Sequence, residues 1–221
     1  MKKAFVVDLS KESQRILATY YTDHSTSNQA NEVARKIYEL IKKAKHSNND
    51  IALNHNEIKK AFFNPFMPQL KNAQVFLSHS HRDEKQVLKV KNYLESNTNC
   101  KVFVDSLFWD YKDEILNEIA EYDDDISEIE DAFTLILRES LEIMIQKCPY
   151  FVFLQSKNSI SYQGLSSITY SAWIYEELKI VNAFLQKPRI TAMRVSHNIT
   201  ELLKGFETIS LDNLCELIIK K

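Results

Sequence analysis

The sequence predicts an α/β fold, in which helices flank a parallel sheet of about five strands and a helical segment precedes the sheet. From residue 73 onward, short apolar runs alternate with stretches of helical periodicity. The runs are apolar throughout rather than alternating, as strands covered on both faces are. Before residue 73 the periodicity is mainly helical.

Composition and charge are those of an ordinary globular chain. Of its 221 residues, 44% are apolar and 26% are charged, and the net charge is −2 at pH 7. Such a balance gives no reason to expect nucleic acid or a membrane as a partner. The apolar run at 4–7 is too short for a signal peptide, and no stretch reaches the length of a membrane span. Three cysteines, few and odd in number, suggest buried thiols in a reducing compartment, so we expect a cytoplasmic protein.

The number of glycines restricts the possible ligand-binding motifs, since the chain has only Gly164 and Gly205. A dinucleotide-binding fingerprint needs three glycines within six residues, and a phosphate-binding loop needs two within six. Both motifs are excluded. Whatever this protein binds, it does so without a glycine-rich phosphate loop, and no resident cofactor is expected.

Residues 1–70 are predicted to form a helical N-terminal extension. Apolar residues recur near helical spacing at 31–45, and a shorter helix is expected at 57–63. Pro65 and Pro68 end this region, because proline cannot continue a helix and disfavours helix in the residue before it.

Residues 73–221 are predicted to form the sheet domain. Its strands are expected at 73–78, 101–105, 150–154 and 189–195, and its helices at 85–95, 112–147, 171–185 and 211–219. A fifth strand is expected within 110–130 or 157–170. In this flavodoxin-like arrangement, ligands bind at the carboxyl ends of the strands. The residues after Leu77, Val104 and Leu154 are therefore the candidates for a site.

The segment after the first of these strands contains His79, His81 and Asp83 in an HxHxD pattern. Zinc hydrolases with this pattern need further His and Asp ligands downstream. Only His197 follows His81, and Glu84 stands where the next histidine is expected. A metal site is therefore disfavoured, which leaves a water-facing loop or the edge of another kind of site.

An aromatic segment, residues 106–111, follows the second strand and is predicted to be a loop. It carries Phe108, Trp109 and Tyr111. These rings could stack on a ligand ring or pack against the neighbouring helix, and the sequence favours the two interpretations about equally.

The helix predicted at 171–185 carries a tryptophan and a carboxylate on one face. Trp173 and Glu177 are four residues apart and share that face, whereas Glu176 points about 100° away and is expected to be solvated. Spacing alone is more typical of a surface helix with a buried tryptophan and two solvated carboxylates.

The elements, taken in order, resemble the TIR (Toll/interleukin-1 receptor) domain. Residues 75–83 resemble the family's first strand and loop, in which an apolar run leads to Ser, His and polar residues with an acid. Asp105 ends the second strand with an acid, as in many members. Ser171, Trp173 and Glu177 followed by Leu resemble the family's helix signature. The remaining matches are 132–147 and 148–156 to the third helix and fourth strand, 189–195 to the last strand, and 203–211 to the last connection.

This resemblance implies the bacterial, NAD-cleaving type of TIR domain, with NAD⁺ as substrate rather than cofactor. Glu177 stands at the position of the family's catalytic carboxylate. The cleavage passes through an oxocarbenium-like state, and a carboxylate near the ribose stabilises that positive charge. The substrate-binding residues implied are Ser78, His79, Phe108, Trp109 and Trp173. Ser78 and His79 are expected at the pocket rim, and the two tryptophans at its wall.

The resemblance also implies partners and a role. TIR domains self-associate, and bacterial TIR enzymes resemble antiphage sensors that deplete NAD⁺ or release a cyclic ADP-ribose isomer read by a downstream effector. The alternative is a non-catalytic module that acts through TIR–TIR assembly. The chain departs from the family in an acidic stretch, about 110–130, for which a solvated elbow is favoured over a divalent-ion site.

Overall fold

The computed structural model describes residues 3–9, 11–20, 35–40, 55–63, 71–104, 106–120, 127–185 and 196–220. Two compact units make up the chain. The first comprises Met1–Thr22, Asn72–Asp105 and Leu141–Lys221, and the second comprises Asp23–Lys71 and Ser106–Ser140.

Five parallel strands form the main sheet of the first unit. The strands among the described residues are β1 (Lys3–Asp8), β2 (Ala73–Ser78), β3 (Lys101–Val104), β4 (Tyr150–Gln155), β5 (Ser161–Gln163), β6 (Ser166–Thr169), β7 (His197–Asn198) and β8 (Glu207–Thr208). The main sheet has the order β3-β2-β4-β1-β8, with every pair parallel. This confirms the predicted α/β, flavodoxin-like arrangement.

Aromatic side chains fill the centre of the sheet. Phe76 of β2 is fully buried, and its ring centre lies 5.2 Å from that of Phe103 and 5.5 Å from that of Phe151. The three rings belong to the adjacent strands β2, β3 and β4. Strands covered on both faces favour such large apolar residues at every position, which explains why these runs do not alternate.

The N-terminal strand β1 corrects the predicted domain boundary. Residues 1–70 were expected to be a helical extension, yet β1 lies inside the main sheet, where Val6 pairs with Phe153 on one side and Thr208 on the other. Its residues 4–7 are buried and its two end residues exposed. The apolar run bounded by Lys3 and Asp8 is the signal of a buried strand.

Eight helices are named among the described residues: α1 (Lys11–Ile16), α2 (His55–Phe63), α3 (Glu84–Asn97), α4 (Ser106–Ala120), α5 (Ser127–Lys147), α6 (Ala172–Phe184), α7 (Thr200–Leu203) and α8 (Leu211–Ile219). Residues 35–40 are also helical, within the helix expected at 31–45. The helices expected at 57–63, 85–95, 171–185 and 211–219 correspond to α2, α3, α6 and α8. Within the stretch expected as a single helix, 112–147, the described residues belong to α4 and α5.

The aromatic segment 106–111 was predicted to be a loop, and this prediction is wrong. Helix α4 begins at Ser106 and runs through the whole segment. The stretch contains neither glycine nor proline to interrupt a helix, and serine is a common residue at a helix start. The described part of the acidic stretch 110–130 is likewise helical, and residues 121–126 lie outside the described residues.

A second sheet of three antiparallel strands has the order β5-β6-β7. Gly164, with φ of 60°, forms the two-residue turn between β5 and β6 together with Leu165. Such turns need a positive φ that glycine adopts without strain. The prediction of a fifth main-sheet strand within 157–170 is therefore wrong, because β5 and β6 belong to the second sheet. The strand predicted at 189–195 lies outside the described residues.

Candidate active site

The carboxyl ends of β2 and β4 define the candidate site. The chain passes from β2 outward to β3 and then returns to place β4 on the opposite side of β2. Connections that diverge from two adjacent parallel strands leave a crevice beyond their carboxyl ends, which is where open α/β sheets bind ligands. Ser78 at the end of β2 pairs with Phe153 of β4, so both loops leave the sheet at this crevice.

Ser78 and His79 lie at the carboxyl end of β2 and are deeper than the predicted rim. Ser78 is 0% exposed and His79 is 5% exposed. The Oγ of Ser78 has no hydrogen-bond partner in the described part of the chain. A buried hydroxyl left without a partner costs about 1–3 kcal/mol. This atom is therefore a candidate to bind a ligand group that enters the crevice.

Asp83 connects the loop after β2 to the loop after β4. Its carboxylate is buried and accepts hydrogen bonds from the Oγ of Ser156 and from the Nδ2 of Asn158, the latter at 2.6 Å. Sequence analysis selected the residues after Leu154 as candidates by position. It missed the roles of Ser156 and Asn158, because only the adjacency of β2 and β4 brings them to Asp83.

Helix α6 carries the predicted catalytic carboxylate on its buried face. Ser171 caps the helix, its Oγ accepting a hydrogen bond of 3.2 Å from the amide of Ile174. Glu177 is 0% exposed, and the other buried residues of α6 include Ile174, Leu178 and Val181. These positions recur at the spacing of one helix face.

Burial separates Glu177 from its neighbour Glu176. Glu176 is partly exposed, and its Oε2 lies 3.1 Å from the Nζ of Lys179 in a surface ion pair. This confirms the predicted register, in which Glu177 rather than Glu176 faces inward. Carboxylates are almost never fully buried in proteins for packing reasons alone, since removing the charge from water is costly. Full burial therefore makes Glu177 a candidate functional residue.

Aromatic and polar contacts hold α6 in place. The rings of Tyr175 and His197 of β7 stack with their centres 4.3 Å apart. Asn182 is buried and donates a hydrogen bond of 2.9 Å to the carbonyl of Leu202 in α7. Trp173, four residues before Glu177, is half-buried. The helix that carries Glu177 is thus held by neighbours on two elements.

Phe108 and Trp109, the remaining predicted substrate-binding residues, lie in the first turn of α4 and belong to the second compact unit. Their backbone is helical rather than looped. That the side chains of Phe108 and Trp109 contact the substrate stays a prediction.

A cavity of about 680 Å³ lies at the opposite, amino-terminal edge of the sheet, away from Glu177. Its lining residues are Gln74, Ser96, Asn97, Thr98, Asn99, Cys100, Pro149, Tyr150, Ile218 and Ile219. None of them is a carboxylate, an imidazole or an amine. Burial also raises the pKa of the Cys100 thiol, which makes it a poorer nucleophile. The β2–β4 crevice and Glu177 are therefore stronger candidates for a functional site than this cavity.

Among the described residues, no group of three or more His, Cys, Asp and Glu side chains is arranged to hold a metal ion. None of the helices described combines the length and apolar character needed to cross a membrane.

The fold and site define a class of protein, a flavodoxin-like α/β protein. Its candidate site combines a polar crevice at the carboxyl ends of β2 and β4 with helix α6, on which the carboxylate of Glu177 is fully buried. Comparison of the chain with protein-family models, curated proteins and solved structures found no match.

Proposed function

We propose that this protein is a TIR-type NAD⁺ nucleosidase with Glu177 as its catalytic carboxylate. The observation that carries the proposal is the complete burial of Glu177 on α6, beside a partly exposed and ion-paired Glu176. Support also comes from half-buried Trp173 on the same helix and from the sequence resemblance described above.

The proposed reaction breaks the bond between the ribose C1′ and the nicotinamide nitrogen. Nicotinamide leaves as a neutral molecule, because the positive charge of its ring passes to the ribose. No general acid is needed for this step. The carboxylate of Glu177 stabilises the oxocarbenium-like state, and its effect is large because the site is shielded from water. Trp173 supplies an apolar wall, and the Ser78 hydroxyl is available to a polar group of the substrate.

Capture of the ribosyl cation decides the product. Attack by water, with loss of one proton, gives ADP-ribose, whereas attack by a nucleophile within the same molecule gives a cyclic isomer. The proposal includes a cytoplasmic role in bacterial antiphage signalling, self-association through the TIR domain and, for a cyclic product, a downstream effector.

The test measures nicotinamide release from NAD⁺ by chromatography for wild type, Glu177→Ala and Glu176→Ala. Protein is assayed at high concentration with a crowding agent, since assembly is part of the proposal. Glu177→Ala is expected to lower the rate by about 100-fold or more, on the scale of removing one electrostatic stabiliser. Glu176→Ala is the matched control and is expected to retain activity. Equal rates for wild type and Glu177→Ala would overturn the assignment.

A non-catalytic assembly module is the second candidate, and one observation favours it. The β5–β6 hairpin and the residue after it expose Tyr162, Leu165 and Tyr170 by 63%, 101% and 62%. Exposed apolar groups clustered on one hairpin are typical of contact surfaces. Absence of nicotinamide release from wild type, together with self-association abolished by Leu165→Lys, would favour this candidate over the enzyme.

A further inference from the structure

Asp83 occupies a helix-capping position without capping its helix. It is the residue before α3, where an aspartate commonly accepts hydrogen bonds from the first amides of the helix. Its side chain makes no such bond here. Asp83 is only 4% exposed, so its carboxylate is shielded from water and also makes no bond to the first amides of α3.

The carboxylate points instead to the loop after β4. One oxygen accepts from the hydroxyl of Ser156, and the other accepts from the side-chain amide of Asn158 at 2.6 Å. Each carboxylate oxygen therefore has a partner in the loop after β4. We refer to Asp83, Ser156 and Asn158 as the loop clasp.

The clasp organises the turn that follows β4. The Oγ of Ser156 also accepts hydrogen bonds from the amides of Asn158 and Ser159, at 2.9 and 3.2 Å. The carbonyl of Ser156 accepts from the amides of Ser159 and Ile160, at 3.3 and 3.1 Å. Asp83 thus fixes the hydroxyl on which the turn is built.

A continuous hydrogen-bonded segment leads from this turn to α6. Strands β5 and β6 pair along their length, and buried Thr169 at the end of β6 accepts a hydrogen bond of 3.2 Å from the amide of Ser171 through its Oγ1. Ser171 is the cap of α6, on which Glu177 lies in the second turn. The orientation of that helix therefore depends on a segment that begins at the clasp.

We propose that Asp83 is a positioning residue: its carboxylate joins the loops after β2 and β4 and thereby sets the position of α6 and of Glu177. The inference rests on the proposed function only in naming Glu177 as the group that is positioned. Asp83 does not itself touch the substrate. Misplacement of a catalytic group by about 1 Å can lower a rate by about 100-fold, so such a clasp affects turnover without contacting the reacting atoms.

The chain offers a reciprocal exchange as the test. In Asp83→Asn, an NH2 group replaces the oxygen that accepts from the Nδ2 of Asn158, so this bond is lost in the wild-type orientation of Asn158. In Asn158→Asp, two carboxylates face each other. In the double variant Asp83→Asn/Asn158→Asp, the Asn at 83 donates to the Asp at 158 and still accepts from Ser156, so both bonds are restored. Asn158→Ala removes only the side-chain bond to Asp83 and is a milder variant for the case in which Asp83→Asn does not fold.

The primary measurement is amide hydrogen exchange over 156–177, recorded without NAD⁺ and compared with exchange in β2 and β4. Each single variant is expected to exchange faster across 156–177 with the strands unchanged, and the double variant is expected to return to the wild-type rate. Asp212→Asn, an exposed carboxylate on α8, is the control and is expected to leave this segment unchanged. Wild-type exchange in Asp83→Asn, or no recovery in the double variant, would overturn the proposal.

The second measurement separates the clasp from the proposed function. In nicotinamide release, Asp83→Asn is expected to lower kcat by about 10- to 100-fold with little change in KM, and the double variant to restore it. An unchanged kcat in a variant whose segment exchanges faster would also overturn the positioning role. A rate unaffected by Glu177→Ala would overturn the proposed function, and the exchange result would still decide whether the clasp holds the segment.

Discussion

The hydroxyl of Tyr93 donates a hydrogen bond of 2.6 Å to Oδ1 of Asp212 and so joins α3 to α8. Burial, and then this hydrogen bond to Asp212, raises the pKa of Tyr93 above its ordinary value. The ring also meets Tyr20 edge to face, with the two centres 5.5 Å apart. The pair links two helices that are distant in sequence.

We expect this pair to make the fold sensitive to alkaline pH. The folded state keeps Tyr93 protonated at a pH where the unfolded chain, with a tyrosine pKa of about 10, has lost that proton. Stability from this group is therefore present below about pH 10 and declines as the pH rises above it. Urea unfolding between pH 8 and 11 should show a steeper decline for wild type than for Tyr93→Phe. Parallel curves for the two proteins would contradict this expectation.

Phe76 is expected to be among the most sensitive core positions. It is fully buried between the rings of Phe103 and Phe151, so Phe76→Ala removes a large side chain that neighbouring strands cannot replace. The cost is expected to be about 3–5 kcal/mol in the free energy of unfolding. Phe184→Ala, on the more exposed end of α6, is the matched control and should cost less than about 1 kcal/mol. Comparable losses for the two variants in denaturant titrations would show that the aromatic stack is not central.

Strand β1 is expected to be required for a stable sheet. A fragment containing residues 73–221 lacks β1, and its absence leaves β4 and β8 without the strand between them. Circular dichroism and thermal unfolding should show no cooperative transition for the fragment, whereas the full chain unfolds cooperatively. A fragment that melts like the full chain would support the boundary first predicted near residue 70.

The three cysteines are expected to resist thiol reagents in the folded protein. Cys100, Cys148 and Cys215 form no disulfide bond and are no more than 5% exposed, which confirms the prediction of buried thiols. Burial also raises the pKa of Cys100 and Cys215, which lowers their reactive thiolate fraction further. A colorimetric thiol reagent at neutral pH should label few thiols in the native state and three per chain in denaturant. Rapid native labelling would show that the thiols are accessible.

Parts of this fold were predictable because their residues carry a local signal. The apolar runs of β2 and β4 follow from the residue pattern alone. The choice of Glu177 over Glu176 needed the register set by Trp173 and the resemblance to the TIR helix signature, because spacing alone is typical of two solvated carboxylates. The run in β1 has the same character, yet its place in the sheet depends on partners far along the chain. Strand β8 has two exposed residues and no apolar run, so no local pattern marks it.

The clasp could not be predicted for a related reason. Asp83 precedes a helix, and the sequence therefore suggests a cap. Its actual partners, Ser156 and Asn158, become neighbours only once β2 and β4 lie side by side. The sequence is least informative at such positions, where a residue could bond to its own helix but bonds instead to residues far along the chain.

The central position of β1 has a consequence for how the chain folds. Lys3 pairs with Tyr150 and Phe5 with Glu207, so the contacts that complete the sheet join segments very far apart in sequence. Such non-local pairing slows folding, because a long loop must close before its contacts contribute. During synthesis, the apolar strand β1 would stay unpaired until β4 and β8 had been made. This would make the nascent chain a natural client for chaperones that shield exposed strands.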